Sequence, residues 1–302
     1  RNVKGGLSAG RAQSPAIKIV VDREKERASF TESEYWSITA KFGSNGDLFE
    51  AGLRKYNSQN IAIGKDFDKE TGTITKSNIL QLDRKKAENL TNQFINGNWK
   101  VSKVEQKPAT QNPYAPFITS TLQQEGIRKL RMSSQQVMRT AQHLYEEGYI
   151  TYMRTDSVTL SDEALKASRK TIEELYSKEF LPDKPRMYKS KVKNAQEAHE
   201  AIRPSGSTFS KPNELKSKLT DAEFTLYDLI WKRTIASQMK SARLQKTTVK
   251  ITDGSSASFT ANGKVIEFPG FLKVYVEDID DPGTDRDDKE SVLPSMKEGQ
   301  EL

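Results

Sequence analysis

Tyr152, Arg154 and Asp156 alternate along one short stretch of this 302-residue chain and carry its most reactive combination of side chains. A tyrosine hydroxyl can attack a phosphodiester and form a phosphotyrosine ester, and a planar guanidinium two residues later can bind the phosphate oxygens with paired hydrogen bonds. The stretch follows Gly148 and a short β-prone run. Ordinary half-buried strands with one aromatic residue facing inward also contain this pair. The spacing alone therefore leaves both interpretations open.

A second stretch, residues 195–204, contains His199, one of two histidines in the chain. A single histidine is more often a structural hydrogen-bonding group than a catalyst, but two carboxylates and Arg203 surround this one. Arg203 follows His199 by four residues. If residues 196–202 form a helix, as we expect, both side chains lie on one face and can contact the same phosphate.

Two further stretches contain recognisable patterns. Residues 7–16, Leu-Ser-Ala-Gly-Arg-Ala-Gln-Ser-Pro-Ala, predict the start of a helix whose free N–H groups, together with Arg11, can receive a phosphate. An ordinary capped helix is the alternative for this segment. Residues 113–123, Pro-Tyr-Ala-Pro-Phe-Ile-Thr-Ser-Thr-Leu-Gln, form the last of the four stretches.

Together the four stretches resemble, in the same order, the motifs of bacterial type IA DNA topoisomerases. The resemblance identifies Tyr152 as the nucleophile and implies catalytic roles for Arg154 and His199 at the scissile phosphate. For Arg203 two roles remain open, a further phosphate contact or a structural ion pair with a nearby acid. The residues that the resemblance implies as DNA contacts are Ser8, Ala9, Gly10, Arg11, Ala12, Gln13, Arg154 and Arg203.

The resemblance also implies the reaction. The tyrosine would cleave one DNA strand, preferably in a single-stranded segment, through a 5′-phosphotyrosyl intermediate and then religate it. Such a reaction relaxes negatively supercoiled DNA without ATP. In the family an N-terminal toprim domain binds Mg²⁺, and we expect that domain to lie outside these 302 residues. We expect no metal site in this chain, an excised piece of a longer protein, and no activity from the piece alone.

The excess of basic over acidic residues favours a polyanionic binding partner. Lysine and arginine number 48 against 41 acids, which gives a net charge of +7. Basic residues concentrate in 184–203 and acidic residues in 277–290, a segment we interpret as a solvated connection. The chain has no cysteine and no long apolar run, from which we expect a cytoplasmic protein without disulfides or a membrane span.

Hydrophobic periodicity predicts an α+β multidomain fold in which two β-rich parts join into one domain with a helical domain inserted between them. The resemblance implies that the β-rich part is an arch and that the helical domain carries the active-site tyrosine. On that basis we assign residues 1–34 to the start of a helical base domain, 35–110 and 225–302 to the discontinuous arch, and 111–224 to the tyrosine domain. The predicted helices are 14–30, 80–95, 119–126, 133–148, 161–177, 196–202 and 220–240. The predicted strands are 35–42, 48–53, 99–104, 247–251, 257–260, 264–268 and 271–276.

Other functions remain possible from the sequence. A topoisomerase III-like decatenase shares the same motifs, and a non-catalytic nucleic-acid-binding module would need only the basic stretches. A phosphotransfer enzyme or metal-independent nuclease based on His199 is disfavoured, since the second histidine, His143, falls in the predicted helix before Tyr152.

Overall fold

The computed structural model describes residues 12–44, 46–189, 200–254, 256–276 and 293–302. The chain divides into two compact units. The first unit comprises Arg1–Gln106, Thr247–Lys264 and Asp281–Leu302, and the second comprises Lys107–Lys246 and Val265–Asp280. The predicted mixture of α and β structure is confirmed.

A sheet forms most of the first unit. Its strands run in the order β4-β3-β2-β7-β6-β5, and β1 pairs with β2 at the side of this path. The strands are β1 Thr39–Ser44, β2 Asp47–Tyr56, β3 Gln59–Ile61, β4 Ile79–Leu80, β5 Lys100–Gln111, β6 Ala242–Thr252 and β7 Ala257–Phe268. The predicted hairpin of the first two strands is confirmed, with Phe42 opposite Phe49 in antiparallel register.

The core of this unit is aromatic. Phe42, Phe94, Trp99 and Phe259 are all at most 8% exposed, and their rings meet edge to face at centroid distances of 5.0–5.8 Å. Phe94 comes from helix α2 (Arg84–Phe94), which begins at the N-cap Asp83. Such pairs contribute about 0.5–1.5 kcal/mol each beyond the area they bury.

Helix α1 (Gln13–Ser29) also belongs to the first unit and confirms the predicted helix. None of its residues is buried, and even the apolar side chains of Ile17, Ile19 and Val20 are more than 60% exposed. Its ion pairs, such as Lys18 with Asp22, are local to the helix. The predicted apolar side of α1 therefore makes no core contact among the described residues.

Helices dominate the second unit. They are α3 Thr119–Leu130, α4 Ser134–Glu146, α5 Asp162–Tyr176, α6 Pro212–Leu215 and α7 Asp221–Ser237. Ser133, Ser161 and Thr220 cap α4, α5 and α7 by accepting a backbone hydrogen bond. Helix α3 continues past the predicted end at Gly126. A Cβ at Gly126 would lie 2.6 Å from Val137 of α4. The glycine thus permits close packing of the two helices.

Four predicted elements differ in type or number from the structure. Residues 257–268 form one strand rather than two, and residues 270–273 form a short helical turn where a strand was predicted. The helix predicted for 196–202 is wrong in its described part, since residues 200–202 are extended. Helix α7 lies in the second unit, whereas the sequence assigned residues from 225 to the arch; the assigned domain limits stay a prediction. No helix in the described ranges combines the length and the apolar character needed to cross a membrane.

Candidate active site

The segment after α4 places its reactive side chains on one side and its anchors on the other. Gly148 adopts a φ of +76° and turns the chain back at the end of the helix. From Tyr152 onward, exposure then alternates residue by residue. The exposed side chains are Tyr152, Arg154 and Asp156, and the buried ones are Met153, Thr155 and Ser157. One face of this segment therefore holds it in place while the other is free for a ligand.

The first turn of α3 anchors this segment. The Thr119 N–H, one of the amides at a helix start that lack an intrahelical partner, donates to the carbonyl of Thr155 at 3.0 Å. The Thr119 hydroxyl donates to the carbonyl of Met153 at 2.8 Å and accepts from the Thr155 N–H at 2.9 Å. The residues of the predicted 113–123 motif thus bind the backbone on both sides of Arg154.

The described end of the 195–204 motif forms the second anchor. Ala201–Pro204 runs extended between Phe117 and the residues just before Tyr152, with bridges Phe117–Ile202 and Ile150–Pro204. The Thr151 hydroxyl donates to the carbonyl of Ala201 at 2.7 Å, and the Thr151 N–H donates to the carbonyl of Arg203 at 2.9 Å. Three of the four sequence motifs therefore meet at one place in the second unit.

Arg203 lies in a buried ion pair. Its side chain is 6% exposed, and the guanidinium donates to both carboxylate oxygens of Glu200, at 2.7 and 3.0 Å. It also donates to the carbonyls of Pro204 and Gly206 and to the Ser161 hydroxyl. All five N–H donors are thus used inside the protein. The geometry favours the structural ion pair among the two roles that the sequence left open.

Glu200 links this pair to the start of α5. It accepts from the N–H of Ser161, the residue that caps that helix, at 2.7 Å. Burial acts to raise the pKa of Glu200, but the hydrogen bonds from Arg203 and Ser161 outweigh it, so the pKa lies below its ordinary value. Glu200 is therefore ionised at neutral pH and fixes the extended 200–204 segment.

The Tyr152 side chain is 45% exposed, and its hydroxyl makes no hydrogen bond to a described residue. Its ring packs against that of Tyr145 in the last turn of α4, with centroids 5.1 Å apart and planes inclined by 65°. An edge-to-face contact of this kind fixes a ring while leaving its hydroxyl accessible. The geometry is that of a group available to attack a ligand.

Arg154 is exposed, and within the described ranges its guanidinium takes part in no hydrogen bond or ion pair. Asp156 likewise does not pair with it. The donors of Arg154 are therefore available to an anion that approaches the face occupied by Tyr152. Both side chains project from a segment of three residues whose middle member, Met153, is 1% exposed.

The remaining predicted site residues give less structural information. Ser8, Ala9, Gly10, Arg11 and His199 lie outside the described residues. Ala12 and Gln13 are exposed at the start of α1, where Ala12 occupies the N-cap position without a capping hydrogen bond. Their predicted DNA contacts stay predictions.

His143 has a partner of its own. Its Nδ1 lies 2.5 Å from a carboxylate oxygen of Glu223 near the start of α7. Burial acts to raise the pKa of Glu223, but hydrogen bonds from Thr220 and His143 lower it below its ordinary value. This pair connects α4 with α7 and supports the helix that leads to Tyr152.

Within the described residues, no group of three or more histidine, aspartate or glutamate side chains is arranged to hold a metal ion. The exposed donors around Tyr152 suit an anionic ligand.

Sequence reasoning did not assign roles to Thr119, Glu200 or Tyr145, although each supports the site. Thr119 belonged to a motif without a role of its own. It is the first residue of α3, where backbone N–H groups lack an intrahelical partner and can bind another segment. Tyr145 precedes Tyr152 by seven residues, and no sequence spacing predicts a contact across the turn at Gly148.

Comparison with known proteins gives a consistent result. A family model described as DNA topoisomerase matches residues 1–302. The chain is 48% identical over 300 residues to DNA topoisomerase 1 of Synechococcus elongatus, covering 99% of this chain and 34% of that protein. It is 49% identical over 313 residues to DNA topoisomerase 1 of Streptomyces coelicolor, covering 100% of this chain and 33% of that protein.

A comparison with solved structures finds the same family. Full-length topoisomerase I from Thermotoga maritima matches with a TM-score of 0.70 and 30% identity, over 100% of this chain and 44% of that one. The chain thus spans about a third of the length of the curated relatives that it matches.

Proposed function

This chain belongs to the DNA topoisomerase family, and we propose that it carries the strand-cleaving tyrosine of a bacterial type IA enzyme. The observation that supports this proposal most directly is the pairing of Tyr152 and Arg154. Both are exposed, neither polar group has a partner among the described residues, and the backbone between them is held from two sides. The 45% exposure of Tyr152 shows that its ring is not part of the buried core.

In the proposed reaction, the Tyr152 hydroxyl attacks the phosphorus of a phosphodiester in single-stranded DNA. A bond forms between the phenolic oxygen and phosphorus, the bond from phosphorus to the 3′-oxygen breaks, and the phenolic proton is lost as the 3′-hydroxyl gains one. The product is a 5′-phosphotyrosine ester. Because this ester conserves the energy of the broken bond, the reverse attack by the 3′-hydroxyl reseals the strand without ATP.

Arg154 would bind the nonbridging oxygens of the scissile phosphate. An ordinary phenol has a pKa of about 10 and is mostly protonated at neutral pH, so positive charge near the phosphate helps both the loss of the proton and the stabilisation of the transition state. We include His199 as a hydrogen-bond donor to the same phosphate. Ser8, Ala9, Gly10, Arg11, Ala12 and Gln13 are proposed to contact DNA at the start of α1.

The proposal extends to groups outside this chain. Mg²⁺ would be bound by a toprim domain elsewhere in the parent protein, as the family resemblance implies. We propose that the base, arch and tyrosine domains have the limits predicted from the sequence. We also propose a cytoplasmic location. Relaxation of negatively supercoiled DNA is favoured over decatenation, because the relatives named above are described as DNA topoisomerase 1.

Trapping a covalent adduct tests the proposal. In the full-length gene product that contains this chain, Tyr152→Phe should abolish transfer of a single-stranded oligonucleotide to protein, while Tyr149→Phe, the matched control, should not. A label at the 3′ end of the oligonucleotide should appear on the protein, and a label at the 5′ end on a shorter free strand. Arg154→Lys keeps the charge but loses the paired geometry, so it should slow cleavage markedly and leave most non-covalent binding intact.

An adduct formed by Tyr152→Phe would place the nucleophile elsewhere. An adduct that carries the 5′ label would contradict the proposed linkage. If DNA binds to the wild-type protein and no adduct forms under any condition, the second function that the sequence allowed, a non-catalytic nucleic-acid-binding module, would replace this one.

A further inference from the structure

Thr119 makes hydrogen bonds to the backbone of both residues next to Arg154. Its hydroxyl has one proton and two acceptors within reach, the carbonyl of Met153 at 2.8 Å and that of Thr155 at 3.1 Å. The same oxygen accepts from the Thr155 N–H at 2.9 Å, and the Thr119 N–H donates to the Thr155 carbonyl at 3.0 Å. One side chain and its own amide thus bind the residues before and after Arg154.

We propose that Thr119 is a positioning residue for the cleavage and resealing reaction, acting through Arg154. This inference rests on the proposed function, in which Arg154 binds the scissile phosphate. Arginine has a long side chain with many rotamers, and the Arg154 guanidinium makes no hydrogen bond or ion pair with a described residue that would fix its direction. The backbone therefore determines from which point and on which face the Arg154 side chain projects before DNA binds, and Thr119 fixes that backbone.

Thr119 can serve this purpose because it stands on a rigid element. It begins α3, which packs closely against α4 at Gly126, and α4 carries Tyr145 against the ring of Tyr152. The nucleophile and the arginine are thereby held by the same pair of helices. Without the hydroxyl, the partly buried Thr155 N–H and Met153 carbonyl would lose partners and shift toward water.

The test compares Thr119→Val, which keeps the shape and removes the hydroxyl, with Thr119→Ser, which restores it. Both are made in the full-length gene product, and the single-turnover rate of adduct formation is measured with a 3′-labelled oligonucleotide. Thr171→Val is the matched control, because the Thr171 hydroxyl donates to the carbonyl of Ala167 inside α5 and does not contact the Tyr152 segment. The oligonucleotide Kd and the Tm are measured for every variant.

We expect Thr119→Val to slow adduct formation about tenfold, which corresponds to roughly 1.4 kcal/mol in the barrier. Its Kd should stay within about twofold of the wild type, and Thr119→Ser should cleave within about twofold of the wild-type rate. Thr171→Val should cleave at the wild-type rate even if its Tm falls as far as that of Thr119→Val. Combined with Arg154→Lys, Thr119→Val should slow cleavage by less than the product of the two separate effects.

A wild-type rate for Thr119→Val would overturn the inference. So would a Thr119→Ser variant as slow as Thr119→Val, or effects of Thr119→Val and Arg154→Lys that multiply fully. Failure of the proposed function itself has a different signature, an adduct that still forms in Tyr152→Phe.

Discussion

Replacing Arg203 by alanine should destabilise the second unit and leave DNA binding unchanged. The guanidinium is 6% exposed and donates to Glu200, to two backbone carbonyls and to the Ser161 hydroxyl. After the replacement, Glu200 keeps Ser161 as its hydrogen-bond donor and loses its counter-charge. A half-buried carboxylate without a counter-charge is the main source of the expected loss.

The magnitude follows from the burial of the pair. Removing one member of a fully buried ion pair costs about 3–5 kcal/mol. The Glu200 side chain is 25% exposed and can regain some water contact, so we expect the lower end, about 3 kcal/mol. With a urea m-value of about 2 kcal/mol/M for a unit of this size, the unfolding midpoint should fall by roughly 1.5 M.

Far-UV circular dichroism during a urea titration of the isolated chain measures this midpoint, because α3–α7 in the second unit supply much of the helical signal. Arg203→Lys, which keeps the charge and loses the paired geometry, should fall between the wild type and Arg203→Ala. Single-stranded DNA affinity is measured in parallel at several salt concentrations. Both the affinity and its salt dependence should match those of the wild type.

The contrary result is well defined. If Arg203 contacts a phosphate instead, the alanine variant should keep the wild-type urea midpoint. It should bind DNA more weakly, with a slope of log affinity against log salt reduced by about one. That combination would refute the structural assignment.

The same pair predicts a pH dependence. The pKa of Glu200 is lower in the folded chain than its ordinary value, so the ion pair stabilises fully above that ordinary value, about 4.3 for glutamate. The stabilisation is lost as the pH falls through the lowered folded value. The difference in urea midpoint between wild type and Arg203→Ala should therefore be widest near neutral pH and shrink below about pH 4.

Three further predictions concern the isolated chain. It should not relax supercoiled plasmid with or without Mg²⁺, as followed by agarose gel electrophoresis; robust relaxation would show that no other domain is needed. Its affinity for single-stranded DNA, measured by fluorescence anisotropy, should fall steeply between low and physiological salt because phosphate contacts dominate, and a constant affinity would exclude its basic stretches as the contact surface. Gly148→Ala should destabilise the second unit by about 1 kcal/mol, since φ is +76° there while a Cβ would meet no atom within 4 Å; an unchanged urea midpoint would contradict this explanation.

The helices around the site were predictable because their signals are local. Ser133, Ser161 and Thr220 are strong N-cap residues, and each begins its helix at or within one residue of the predicted position. The β1–β2 hairpin was equally predictable from its alternating pattern and the turn residues between the strands.

The errors have non-local causes. Residues 200–202 were predicted as helix, but they are extended because Phe117, Thr151 and Thr159 supply hydrogen-bond partners from distant parts of the chain. The role of Arg203 was undecided for the same reason, since its ion pair depends on the fold around α5. The motifs were enough to predict Tyr152 and Arg154 as site residues. The contacts that Thr119 makes with the backbone around Arg154 can be seen only in the folded structure.

Because exposed and buried residues alternate from Tyr152 to Ser157, the number of residues between the tyrosine and the arginine determines which face each side chain occupies. Inserting or deleting one codon between the tyrosine and the arginine would exchange the inward and outward positions of every later residue in the segment. The guanidinium would then point into the hydrophobic core, and Met153 or its neighbour would replace it at the surface. A change of length by one residue would thus separate the two reacting groups onto opposite faces even though every side chain of the segment was kept.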